Sequence, residues 1–130
     1  CGGARRSRTG RAWVGPGVCG RAGKPNEIGR AIQTFADKHR YPLISKRASH
    51  GVGAALHEEP GQIPTWFEPN DRRRIHDGLV FTIEPFLSTG SGLAVEGDDD
   101  WTLFANGGHA TVQYEHTLVA TRRGAVVLTM

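Results

Sequence analysis

The chain has 130 residues, of which 38% are apolar, enough for one hydrophobic core of ordinary globular character. No apolar run approaches the roughly 20 residues that a spanning helix needs, and the basic start lacks the apolar stretch of a signal peptide. The net charge of +3 divides unevenly: of 16 Lys and Arg, six lie in residues 1–24 with no acid among them, leaving ten against all 13 acidic residues, a net of −3.

Residues 1–24 are rich in Gly and Arg and show neither helical nor strand periodicity, so they read as an irregular segment before a domain over 25–130. A basic segment can contact nucleic acid or an anionic surface, though a solvated extension is the plainer meaning, and the body calls for no specific nucleic acid. Cys1 and Cys19 lie in this segment, away from every motif. Two such cysteines build neither a disulfide framework nor a zinc knuckle, and they read as reduced thiols of a cytoplasmic protein. The first residue is Cys rather than Met, so the chain need not begin where translation began.

From Pro25 the pattern changes. Asn26 is a candidate N-cap, and Ile28, Ala31, Ile32, Phe35 and Ala36 form one apolar face at helical spacing. The helix should end near Arg40, because Tyr41 precedes Pro42 and that position avoids the helical region. Residues 43–63 hold short extended pieces broken by Gly51, Gly53 and Pro60, and 64–78 read as a polar loop. Leu79–Ile83 is a strand stopped by Pro85, and Leu87–Asp100 is turn-rich with room for a hairpin. Thr111–Thr121 is the longest strand candidate, with Ala125–Leu128 pairing back after a turn at Gly124. One helix followed by several strands predicts an α+β fold with a mainly antiparallel sheet.

The chemistry concentrates on a few positions. Alternation along Thr111–Thr121 puts Gln113, Glu115, Thr117 and Val119 on one face, and Val80, Thr82 and Glu84 share a face of the preceding strand. A covered carboxylate needs a cation or hydrogen bonds. Alone, Glu115 reads as an exposed strand position, but two acids placed alike on strands rich in Val, Ile, Leu and Phe suggest ligands for a divalent cation. An imidazole beside them widens the choice to Mn, Fe, Co or Zn. His50 stands in Ser-His-Gly-Val-Gly, where small neighbours permit close approach, and His57 stands in Leu-His-Glu-Glu-Pro. A zincin helix is excluded, since its second histidine would fall on Gly61. His39, His76 and His109 keep the default of structural or solvated residues.

Five motifs in order, Ser-His-Gly-Val-Gly (49–53), Leu-His-Glu-Glu-Pro (56–60), Gly-Leu-Val-Phe-Thr-Ile-Glu-Pro (78–85), Asp-Asp-Trp-Thr (99–102) and Gln-Tyr-Glu-His-Thr (113–117), resemble type I methionine aminopeptidases. The likeness runs from about Gly20 to Thr129 and implies the C-terminal half of a pita-bread fold built around two divalent metals. It implies His50, Glu84 and Glu115 as metal ligands, Glu115 bridging. It also implies His57 on the substrate peptide, Trp101 and Leu56 beside the methionine side chain, and Glu84 as the base that takes a proton from the attacking water.

The substrates implied are the N-terminal Met peptides of nascent proteins, with proximity to the ribosome. The family's two Asp ligands and a further His have no counterpart before His50, where the only Asp is Asp37, and Ala54 replaces a family Arg. The expectation for this chain is therefore at most one metal, weak or no activity, and self-association through an unpaired sheet edge. Two alternatives stay open: a non-catalytic remnant or binding module of this fold, and an X-Pro dipeptidase of the same superfamily.

Overall fold

A computed structural model describes residues 23–45 and 47–129. Most of the basic segment and both cysteines lie outside the described residues. Helix α1 spans Pro25–His39. Its N-cap is Lys24 rather than Asn26: Pro25 takes the first helical position, where no amide is needed, and the Lys24 amide donates to the Glu27 carboxylate at 3.2 Å. At the other end Arg40 turns left-handed (φ 59°) and its amide reaches the Asp37 carbonyl, so the chain leaves the helix where Tyr41–Pro42 predicts. Ile28, Ile32 and Ala36, four residues apart, are the buried stripe, while Phe35 slips to the rim and rests against His39.

The strands are β1 (Ser49–Gly51), β2 (Glu58–Ile63), β3 (Val80–Ile83), β4 (Phe86–Ser88), β5 (Ala94–Glu96), β6 (Leu103–Ala105), β7 (Thr111–Gln113), β8 (His116–Thr121) and β9 (Gly124–Val127). Five of them form an antiparallel sheet in the order β2-β1-β3-β8-β9, and β4–β7 and β5–β6 form two small sheets. Phe81 of β3 faces Leu118 of β8, and both join Ile28, Ile32, Ile63, Ile75, Leu79, Ala120 and Ala125 in one core beneath α1. Val80 and Thr82 point to the opposite face, the one that carries the site.

Two glycines set how closely layers approach. A Cβ on Gly29 would lie 1.9 Å from the Trp66 carbonyl oxygen, so the helix rests directly on the backbone of the 64–78 loop. A Cβ on Gly51 would lie 2.4 Å from the Glu59 carbonyl oxygen, which bears out the close approach expected around His50. Within the loop, Arg73 forks onto Asp71 (2.9 and 2.6 Å). That hydrogen-bonded pair holds the buried Asp71 carboxyl below the usual range against the opposing effect of burial.

Three details differ from the sequence reading. The single strand over Thr111–Thr121 is two strands broken at Tyr114–Glu115, with β7 pairing β4 and β8 pairing β3 and β9. Alternation persists across the break, so periodicity alone cannot reveal it. The hairpin expected within Leu87–Asp100 runs further, from β5 to β6, because β4 is taken by β7. The β8–β9 turn falls on Arg122–Arg123, and Gly124 (φ 124°) is already the first residue of β9.

Candidate metal centre

β1 delivers His50 between Ser49 and Gly51, with all three residues buried. Hydrogen bonds lace it to the end of β3. Thr82 Oγ1 accepts the His50 amide (3.1 Å) and donates to Glu84 Oε1 (2.7 Å), while Ser49 Oγ accepts the Glu84 amide (3.0 Å). The His50 ring lies 2.9 Å by Nδ1 from the Gly51 carbonyl, which can only accept, so the hydrogen sits on Nδ1. The other ring nitrogen, Nε2, then lies 3.3 Å from Glu84 Oε1.

Glu84 is buried, and its second oxygen accepts the Gln113 amide at 2.9 Å. Glu115, which taken alone reads as an exposed strand position, is exposed, and it sits in the break between β7 and β8. The break still directs it to the site: one ligand atom from each of His50, Glu84 and Glu115 lies within 4.8 Å of the others. An imidazole nitrogen with two carboxylates fits Mn, Fe, Co or Zn. The Gly51 carbonyl behind the imidazole, with Thr82 and Gln113 behind the carboxylate, is the supporting shell such ligands require.

Of the remaining predicted residues, His57 is the one shown in contact with this cluster, whereas Leu56 and Trp101 are not. The His57 ring tilts at 42° against His50 with centroids 4.1 Å apart, and it is solvent-exposed. Leu56 is 72% exposed and Trp101 88%, so each presents an uncovered apolar surface. Trp101 is held by its backbone: its amide and that of Thr102 both donate to Asp99 Oδ1. The Thr102 hydroxyl bond, aided by those amides, holds the Asp99 carboxyl below its usual range.

The model of metallopeptidase family M24 matches residues 10–122. The chain belongs to that family. It is 36% identical over 112 residues to methionine aminopeptidase 1D, chloroplastic/mitochondrial, of Arabidopsis thaliana, covering 86% of this chain and 31% of that protein. A crystal structure of methionine aminopeptidase from Rickettsia prowazekii superposes with a TM-score of 0.81 at 29% identity, covering 87% of this chain and 46% of the other. Prolidase from Pyrococcus furiosus shares the fold at a TM-score of 0.59 and 23% identity, covering 85% of this chain and 27% of that one.

The chain spans under half the length of the curated relatives it matches, 31% to 44%. This extent agrees with one half of a pita-bread fold, and the resemblance read from the five motifs is borne out. As an M24 member the chain belongs to a divalent-metal hydrolase family. No helix among the described residues is long and apolar enough to cross a membrane.

Sequence reasoning passed over two participants. Thr82 and Gln113 were placed on the faces of Glu84 and Glu115, and that adjacency was the available signal for their part in holding Glu84.

Proposed function

We propose that this chain carries the His50–Glu84–Glu115 part of a metal centre that removes the N-terminal methionine from nascent proteins. The observation carrying the proposal is the convergence of three donor atoms within 4.8 Å, with His50 Nε2 turned to Glu84. The sequence likeness to methionine aminopeptidases supports the same reading. Residues 25–130 then form the C-terminal part of the catalytic domain, working in the cytoplasm near the ribosome, where its substrates emerge.

A divalent ion bound there supplies a Lewis acid for the first peptide carbonyl and an acidified water. The chain's own groups do the rest. Glu84 accepts the proton released by the attacking water, and its buried position keeps that oxygen fixed. His57, beside His50 and open to solvent, donates to the peptide backbone, while Trp101 and Leu56 offer apolar surface to the methionine side chain.

The three donors that converge among the described residues suit one ion rather than two. The expected result for the purified 130-residue chain is weak binding of a single Mn, Co, Fe or Zn ion and little release of Met from Met-Ala-Ser. Calorimetric titration and a peptide assay check this. Efficient metal-dependent release by this chain would contradict it. Absence of any metal binding would favour the alternative of a non-catalytic binding module, which the high exposure of Trp101 and Leu56 also suits. Cleavage of X-Pro dipeptides in place of Met-Ala-Ser would point to the dipeptidase alternative.

A further inference from the structure

Glu84 has an awkward task before any ion arrives. One of its oxygens lies 3.3 Å from Nε2 of the His50 ring, and a second carboxylate, that of Glu115, converges on the same point. Two carboxylates crowded in this way repel, and one on a flexible side chain would turn aside unless held. Two donors hold it. The Thr82 hydroxyl fixes Oε1 from within β3, and the Gln113 side-chain amide fixes Oε2 at 2.9 Å. Only the NH2 end of a glutamine can donate to a carboxylate, so the orientation of that amide is determined by its partner.

The two donors differ in origin. Thr82 belongs to the five-stranded sheet that carries His50 and leads into Glu84, whereas Gln113 ends β7, which among the described residues pairs with β4 in a separate small sheet. Gln113 also stands two residues before Glu115, so the clamp on one carboxylate and the other carboxylate itself share one short segment.

We propose that Gln113 is a positioning residue for the metal centre: its amide sets Glu84 for the ion and ties the β4–β7 sheet to the site. Two consequences follow. Metal affinity depends on the Gln113 donor although Gln113 is not itself a ligand. Metal binding also tightens β7 onto the main sheet, because an ion that fixes Glu84 and Glu115 fixes both ends of the segment 113–115.

The inference rests on the proposed metal centre, and the experiment separates the two. Mn2+ binding to the 130-residue chain is measured by calorimetry for the wild type, Gln113→Ala and Gln113→Met, with hydrogen exchange at β7 amides followed with and without Mn2+. Gln113 is exposed, so both variants should fold, and their metal-free melting temperatures should match the wild type. Loss of a supporting hydrogen bond of this kind weakens metal binding by about 10- to 100-fold. Both variants should show that loss, and Mn2+ should slow exchange at Val112 and Gln113 in the wild type only. Wild-type affinity in Gln113→Met, which keeps the length but not the donor, would overturn the proposal while sparing the metal centre. Equal protection of β7 by Mn2+ in all three proteins would do the same. A wild type that binds no Mn2+ would remove the metal centre and the proposal together.

Discussion

Thr82 is the residue on which most of the centre's geometry turns. Its hydroxyl, 1% exposed as a residue, accepts from the His50 amide and donates to Glu84, joining the His50 backbone to the Glu84 carboxylate. Valine has nearly the same shape but leaves that buried amide without a partner, a loss of about 1–3 kcal/mol. Thr82→Val should therefore destabilise the metal-free chain by that amount in urea denaturation, and Thr82→Ser, which keeps the hydroxyl, should recover most of it. Equal stability of the Val and Ser variants would show that the hydroxyl contributes nothing. At this scale the sequence was informative about identities and poor on angles. Alternation paired Thr82 with Glu84, yet nothing in the residue order says that the Gly51 carbonyl selects the His50 tautomer or that Gln113 reaches back to Glu84.

Among the elements, α1 shows two local preferences in conflict. Alanine stabilises a helix interior by about 1 kcal/mol relative to glycine. At Gly29, however, the added methyl would meet the Trp66 carbonyl at 1.9 Å, and a backbone atom cannot swing aside as a side chain does. Overpacking of this kind costs about 1–3 kcal/mol, so packing should outweigh propensity. Gly29→Ala is expected to lower the melting temperature by several degrees, whereas a rise would show that the 64–78 loop gives way readily. Helix and strand periods made most elements legible, including the helix end at Arg40 and strands near Val80–Ile83 and Gly124–Val127. They failed at Tyr114–Glu115, where the alternation continues while the pairing partner changes from β4 to β3. Pairing is a long-range property, and a one-dimensional period carries no record of it.

At the scale of the molecule, one face of the five-stranded sheet packs against α1, while among the described residues β2 and β9 are the edge strands with no further strand partner. Val126 and Leu128, at and just past the end of β9, are 50% and 55% exposed. A free edge with apolar neighbours invites pairing with a second copy. Sedimentation velocity should show association rising with concentration, and Val126→Lys should reduce it without altering metal affinity. A monomer at all concentrations would rule this out.

The three donors of the centre come from β1, from the end of β3 and from just before β8, which are neighbouring strands in space but lie 34 and 31 residues apart along the chain. Bringing them together means closing two loops of that length, which the pairing of the strands does without any ion. An ion bound at the proposed centre would then stabilise the paired sheet by mass action. Slow, non-local strand pairing thus sets the earliest moment at which the site can be loaded.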